Sequence, residues 1–330
     1  MLMKHFSDRL LEASNQKRGP VCIGIDPVYD RLPKSIRQSH DGGEPDTIAH
    51  RINAIDQFVR SVLNIVAPHV PCVKFQSACF ERYQWPGVQV YRRLIDYAKQ
   101  LGLMVIADVK RGDIGATSNH YTAGCLADCR DQDLGSLDGP DALTVSAYMG
   151  IDAIEPFLEH AAQNGKGVFA LVRTSNPGGD DIQRLRLEDG RTVAEMMAEL
   201  IHNTGSTNSY VGRNGYSLLG AVVGATKSQE VVKLRQIMKQ QVFLVPGFGA
   251  QGGRAEQLRS FFNDDGFGAL VSASRSVLYA FDDQVPDWQP AIQQAVIDMK
   301  EQVNAVLAKN YHINSNGLKT KQPVKNRRGT

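Results

Sequence analysis

The chain has 330 residues, of which 42% are hydrophobic, and this composition is typical of a globular protein with a large core. No apolar run approaches the roughly 18 residues of a membrane span, and the charged start is not typical of a signal peptide, so we expect a cytoplasmic protein without a membrane partner. Five basic residues lie after residue 310, and removing them from the net charge of +2 leaves −3, which excludes a basic nucleic-acid-binding body.

Short apolar runs alternate with amphipathic segments along the chain. After a first helix at 6–18, strands are predicted at 21–26, 70–75, 105–109, 142–145, 167–172, 218–223, 242–245 and 269–271. Helices are predicted at 48–66, 88–100, 116–130, 154–164, 193–202, 229–239, 254–262 and 287–309. The helix at 48–66 is the clearest, because its Ile and Val residues recur at spacings of four and three and Thr47 is a suitable N-cap.

The predicted strands are continuous apolar runs, which is typical of a parallel sheet covered on both faces. Eight strand–helix units favour a single α/β domain, a (β/α)₈ TIM barrel, over a doubly wound sheet. We expect this domain to occupy residues 1–310. The tail at 311–330 is basic and contains almost nothing apolar, so we expect it to be disordered.

Charged residues gather where the third predicted strand ends. Asp108 and Lys110 are two residues apart and therefore point to the same side of the strand. Asp113 follows in the turn, and Thr117 lies four residues later on the next helix. A surface salt bridge is the simpler alternative, but three charged groups beside a buried strand need a reason. The stretch therefore indicates a functional site.

Other polar residues recur at the carboxyl ends of predicted strands, where barrels of this kind carry their active sites. They are Asp26, Lys74, Ser175, Gln251 and Arg275. Taken singly, an aspartate before a proline is typical of a turn, and a lysine at a strand end is typical of a side chain that reaches solvent. Their recurrence at the same end of successive strands favours one shared site.

The segment after the seventh predicted strand is rich in glycine. Gly247-x-Gly249-x-x-Gly252 formally matches the dinucleotide-binding fingerprint, but that fingerprint normally opens the first unit of a Rossmann domain. Glycines also let backbone N–H groups approach a phosphate, and barrels often bind one after strands seven and eight. We therefore expect a phosphate monoester site held by Arg275 and Gln251, with an ordinary flexible turn as the alternative.

Together these motifs resemble one known family. Asp108-x-Lys110-x-x-Asp113, followed by Thr117, is similar to the Asp-x-Lys-x-x-Asp signature of the orotidine 5′-phosphate decarboxylases, in the form of their longer bacterial branch. The resemblance covers most of the predicted domain. It includes the segments 24–27, 73–76, 175–178, 246–253 and 274–276.

The resemblance implies decarboxylation of orotidine 5′-phosphate to uridine 5′-phosphate and CO₂, the last step of de novo UMP biosynthesis, with neither metal nor organic cofactor. It implies that Lys110 protonates C6 of the pyrimidine and that Asp108 lies against the substrate carboxylate. Lys74 and Asp113 would complete an alternating charge network. Asp113 and Thr117 would reach the site of a neighbouring subunit, so a homodimer is implied.

Further residues would bind the substrate away from the reacting carbon. The ribose hydroxyls would contact Asp26 and Lys74, and the amide edge of the pyrimidine would contact Ser175. Four residues would surround the phosphate: Pro246, Gln251, Gly252 and Arg275.

Two other functions fit part of this pattern. A Mg²⁺-dependent sugar-phosphate decarboxylase or aldolase on the same barrel would share the Asp-x-Lys-x-x-Asp motif. Such a site needs carboxylate oxygens around the ion, whereas the cation of Lys74 would repel it. A non-catalytic phosphate-binding barrel would require Lys110 to be only structural.

Overall fold

The computed structural model describes residues 3–38, 47–131, 135–225, 228–249, 255–282, 285–308, 311–313 and 319–321. The strands in these ranges are β1 (Val21–Ile25), β2 (Cys72–Gln76), β3 (Met104–Arg111), β4 (Cys129–Asp131), β5 (Gly135–Leu137), β6 (Ala142–Val145), β7 (Gly167–Arg173), β8 (Leu219–Val223), β9 (Phe243–Pro246), β10 (Ala269–Ala273), β11 (Tyr311–Ile313) and β12 (Lys319–Lys321). Eight of them close into a parallel barrel in the order β1-β2-β3-β6-β7-β8-β9-β10, with β10 pairing back to β1. The predicted TIM barrel is confirmed.

Helices alternate with the barrel strands. They are α1 (Phe6–Gln16), α2 (Lys34–Arg37), α3 (Ile48–Val66), α4 (Ala78–Glu81), α5 (Gln84–Gln100), α6 (Gly115–Cys125), α7 (Glu155–Gln163), α8 (Asp180–Gln183), α9 (Val193–Gly205), α10 (Ser228–Ile237), α11 (Arg275–Leu278) and α12 (Gln289–Ala308). Within the described ranges, no helix is both long enough and apolar enough to cross a membrane.

The outer helices bury one apolar stripe each against the barrel. In α3 the Thr47 hydroxyl accepts the backbone N–H of His50 at 3.1 Å and caps the first turn. The stripe that includes Ile52, Ile55 and Val59 is buried, and the helix packs against α5 and α12. Each such side chain contributes about 1.5–3 kcal/mol of burial free energy, so this face, rather than helix propensity, holds the helix in place.

Helix α1 covers the amino-terminal ends of three barrel strands. The ring of Phe6 packs edge-on against Phe169 at 5.9 Å and lies against Gly167, the first residue of β7. The Ser7 hydroxyl donates to the Tyr216 carbonyl ahead of β8, and Arg9 pairs with Asp141 ahead of β6. This end of the barrel is therefore closed, and the carboxyl ends of the strands form its open mouth.

Two predictions from the sequence differ from the structure. The helix predicted at 116–130 ends at Cys125, and β4 and β5 pair antiparallel where a polar loop was predicted. These two short strands escape a periodicity analysis because each has only three residues. In the basic tail, β11 pairs antiparallel with β12, and the disorder expected for this segment stays a prediction. The other tail residues lie outside the described ranges, and the domain boundary at 310 stays a prediction.

Candidate active site

The carboxylate of Asp108 is the centre of a hydrogen-bonded group at the mouth of the barrel. Its Oδ2 accepts from Lys74 Nζ at 2.6 Å and from Gln76 Nε2 at 3.3 Å. Its Oδ1 accepts from Lys110 Nζ at 2.6 Å and from the Thr144 hydroxyl at 2.9 Å. Two ammonium groups thus hold one carboxylate from opposite sides, and two neutral donors complete its hydrogen bonds.

Three neighbouring strands supply these groups. In the parallel registers, Gln76 of β2 lies beside Asp108 of β3, and Thr144 lies on β6, which pairs with β3 on its other side. Lys74 and Asp108 are each only 6% exposed, whereas the Lys110 side chain is 46% exposed. The buried pair is therefore fixed in the protein, and the Lys110 ammonium faces the open mouth, where a substrate can reach it.

Electrostatics keep the buried pair charged. Burial alone would raise the pKa of Asp108, but the ammonium groups of Lys74 and Lys110 outweigh it and lower this pKa to about 2. Burial alone would lower the pKa of Lys74, but the carboxylates of Asp108 and Asp26 outweigh it and raise this pKa above its ordinary value. Both groups are ionised at neutral pH.

Lys110 has a backbone conformation that is rare for a residue with a side chain. Its φ is 46°, in the left-handed region. The pairing of β3 with β6 shifts here, since Ala107 pairs with Leu143 and Arg111 pairs with Val145. The residues 108–110 therefore bulge opposite a single residue, Thr144. In this conformation the Lys110 ammonium contacts Asp108 Oδ1.

Asp26 lies at the end of β1 with one carboxylate oxygen free. In the described part of the chain, its Oδ1 is buried and has no hydrogen-bond partner, and the same is true of the Ser274 hydroxyl after β10. The backbone around Asp26 is braced, because the Tyr279 hydroxyl donates to the Asp26 carbonyl at 2.9 Å and accepts the Val28 N–H at 2.8 Å. A buried polar atom without a partner is costly, so this oxygen indicates a place for a ligand donor.

Three further predicted residues lie at or just after the carboxyl ends of barrel strands. Ser175 lies two residues after Arg173, the last residue of β7. The buried Arg173 guanidinium pairs with Glu230 at 2.6 Å and with Asp180 at 2.5 Å. Pro246 ends β9 and Arg275 begins α11, so both lie at the carboxyl ends of strands. The predicted phosphate ligands Gln251 and Gly252 lie outside the described residues.

Asp113 and Thr117 are not joined to this group within the single chain. Asp113 Oδ1 accepts the N–H of the next residue, Ile114, at 2.8 Å, and the ion pairs of the described residues include none between Asp113 and Lys110. Thr117 is exposed on α6. The roles expected for both residues, at the site of a neighbouring subunit, stay predictions.

A divalent cation at the mouth of the barrel would need several oxygen or nitrogen ligands close together. Among the described residues, no three His, Cys, Asp or Glu side chains group closely enough to hold an ion. The two oxygens of Asp108, which a divalent cation would need, are already occupied by ammonium groups at 2.6 Å.

Two residues of the group, Gln76 and Thr144, were not predicted. Gln76 is two residues after Lys74 and shares its side of β2, so the period of two could have identified it. Thr144 gives no such indication, because a threonine in an apolar strand is an ordinary strand former. Its partners Asp108 and Lys110 become its neighbours only when β3 pairs with β6 in the folded sheet.

The barrel and its lysine–aspartate–lysine group define the chain as a TIM-barrel enzyme. The family model "Orotidine 5′-phosphate decarboxylase / HUMPS family" matches residues 19–285. An orotidine 5′-phosphate decarboxylase of Rhodopirellula baltica is 39% identical over 91% of this chain and 99% of its own length. One of Caldicellulosiruptor bescii is 34% identical over 93% and 100%. The solved structure of Leishmania donovani OMP decarboxylase is 26% identical over 92% and 99%, with a TM-score of 0.69.

The chain belongs to the orotidine 5′-phosphate decarboxylase / HUMPS family. The family resemblance of the sequence is thereby confirmed.

Acid titration tests the pairing of Asp108. Because folding lowers its pKa below the ordinary 3.8, the carboxylate stabilises the fold above pH 3.8, and this contribution is lost as the pH falls toward 2. We expect the unfolding free energy of the wild type minus that of Asp108→Asn to fall by about 1.5 kcal/mol between about pH 5.5 and pH 2.5. Urea unfolding across this range measures the difference. A constant difference would contradict the lowered pKa.

Proposed function

We propose that this protein decarboxylates orotidine 5′-phosphate to uridine 5′-phosphate and CO₂, as the last step of de novo UMP biosynthesis in the cytoplasm. The observation that carries the proposal is the Asp108 carboxylate, which contacts the ammonium groups of Lys74 and Lys110 at 2.6 Å each. The relatives named above as orotidine 5′-phosphate decarboxylases match nearly the full length of the chain, which supports the same activity here.

The proposed reaction uses Lys110 as the acid. The bond between C6 and the carboxylate carbon breaks, CO₂ leaves, and the electron pair remains on C6. A fixed ammonium beside this carbon stabilises the negative charge as it develops. Lys110 then donates its proton to C6, and solvent returns a proton to the neutral amine through the open mouth. The partly exposed Lys110 side chain supports this role, because it can meet both substrate and water.

The other two charged groups fix the geometry of this step. Asp108 anchors the Lys110 ammonium through Oδ1 and would face the substrate carboxylate. Lys74 balances the charge of Asp108 through Oδ2, and with Asp26 it would bind the ribose hydroxyls. The unpartnered Oδ1 of Asp26 supports that contact, because a ribose hydroxyl could donate to it.

Binding of the phosphate would supply energy far from the reacting carbon. We expect Arg275 and Pro246 to contact it, together with Gln251 and Gly252. Ser175 would bind the amide edge of the pyrimidine. Interactions with such remote groups can be used to hold the reacting part of the substrate in a strained or desolvated position. Arg275 follows β10, and β10 pairs with β1, the strand that precedes Asp26. This arrangement supports a single substrate whose ribose contacts Asp26 and whose phosphate contacts Arg275.

We further propose a homodimer in which Asp113 and Thr117 complete the site of the partner. Exposed apolar side chains flank these residues: Ile114 is 59% exposed, Tyr148 82% and Met149 48%. Gly112 brings the two loops together, because a Cβ there would lie 2.5 Å from the Ser146 carbonyl oxygen. An apolar patch around a charged and a polar residue of this kind fits a self-complementary interface.

Turnover of orotidine 5′-phosphate in EDTA tests the activity. We expect the purified protein to consume orotidine 5′-phosphate without added metal, and Lys110→Ala to lose at least about a thousandfold in kcat, because the charge on C6 would have neither stabilisation nor a proton. Loss of the substrate absorbance measures the rate, and circular dichroism checks the fold of the variant. No turnover by folded wild type would refute the decarboxylase, and activity abolished by EDTA would favour the magnesium-dependent alternative.

Mixed dimers test the shared site. We expect Asp108→Ala and Asp113→Ala to be inactive alone and to regain about a quarter of wild-type activity after subunit exchange, because each hybrid dimer contains one native site. A mixture of Asp108→Ala with Lys110→Ala is the matched control and should stay inactive, since both residues serve their own subunit. Activity in neither mixture, with exchange verified by tagged subunits, would contradict a site built across the interface.

A further inference from the structure

The hydroxyl of Thr144 lies between the two residues of the Asp-x-Lys motif. It donates to Asp108 Oδ1 at 2.9 Å and accepts the backbone N–H of Lys110 at 3.0 Å. Thr144 is 1% exposed, so no solvent competes for either contact. The direction of both bonds is fixed, because the Lys110 N–H can only donate and the ionised carboxylate can only accept.

We propose that Thr144 is a positioning residue that holds Lys110 for proton transfer, an inference that rests on the proposed decarboxylase activity. Its hydroxyl accepts a backbone N–H at a position where the regular pairing of β3 with β6 is interrupted. Between the pairs Ala107–Leu143 and Arg111–Val145, three residues of β3 lie opposite Thr144 alone. The Lys110 N–H has lost its place in the ladder there and uses the hydroxyl instead.

This bond stabilises an otherwise unfavourable backbone. A side-chain-bearing residue with φ of 46° persists only where its surroundings fix it. Without the hydroxyl, Lys110 can relax toward an extended conformation, and its ammonium then leaves the Asp108 oxygen that it contacts at 2.6 Å. A buried valine at 144 would also leave the Lys110 N–H without an acceptor, which adds to the drive for rearrangement.

The effect belongs to the chemical step rather than to substrate binding. Among the described residues, the side-chain hydrogen bonds of Thr144 join it to Asp108 and Lys110, and not to Asp26 or Arg275, which we assign to ribose and phosphate. Its loss should therefore change kcat and leave KM nearly constant. A merely structural role would lower the amount of folded protein and leave both constants of the folded fraction unchanged.

The test compares Thr144→Val, which is nearly isosteric but lacks the hydroxyl, with Thr144→Ser, which keeps it. We expect Thr144→Val to lose about ten- to a hundredfold in kcat with KM for orotidine 5′-phosphate within about threefold, and Thr144→Ser to stay within about threefold of wild type in both. Thr122→Val is the matched control, because Thr122 is a buried threonine whose hydroxyl donates to the Ser118 carbonyl within α6. It should match wild type.

Near-normal kcat in Thr144→Val, or an equal loss in Thr144→Ser, would overturn the inference. If Thr144→Val does not fold, Thr144→Ala is measured in its place with the same expectation. Crystal structures of wild type and Thr144→Val separate the two proposals. If the wild type does not turn over orotidine 5′-phosphate, the proposed function fails. If the crystal structure of Thr144→Val keeps the left-handed backbone at Lys110, the role of Thr144 is overturned, whatever the activity.

Discussion

One buried carboxylate, that of Asp108, determines the arrangement at the mouth of the barrel. An ionised carboxylate in such a place is costly unless charged and hydrogen-bonding partners satisfy it. Lys74 and Lys110 supply the charges at 2.6 Å each, and Gln76 and Thr144 supply the other donors. The same contacts fix the positions of both lysines. Removal of the carboxylate would therefore leave the buried Lys74 charge without this partner and would release the Lys110 ammonium.

The rest of the fold keeps this arrangement in place and accessible. Helix α1 covers the amino-terminal ends of β6, β7 and β8, at the opposite end of the barrel from the site. Lys74 is held in the wall by the register of β2 between β1 and β3. Strain is concentrated at Lys110, where a bulge and a left-handed backbone interrupt an otherwise regular strand. Strain of this kind is typical of functional residues that the surrounding structure fixes.

Much of this could be predicted from the sequence, because its main features depend on local patterns. Continuous apolar runs predicted the eight barrel strands, and the period of two placed Asp108 and Lys110 on one side of β3. The left-handed Lys110 could not be predicted, because the Thr144 hydroxyl that accepts its N–H lies more than thirty residues away in the chain. The hairpin of β4 and β5 was missed because three-residue strands have no measurable period. The role proposed for Asp113 involves a second subunit, and no local pattern in the sequence describes the contacts between subunits.

The coupling between Lys74 and Asp108 is measured most directly by a double-mutant cycle of urea unfolding at neutral pH. The cycle compares wild type, Lys74→Met, Asp108→Asn and the double variant. Lys74→Met leaves Asp108 with only one of its two ammonium partners, and Asp108→Asn leaves the buried Lys74 without the carboxylate that it contacts. The double change removes both charges. We expect a coupling free energy of at least about 2 kcal/mol, with the double variant more stable than the sum of the single losses predicts. Additive losses, within about 0.5 kcal/mol, would contradict the pairing on which the site depends.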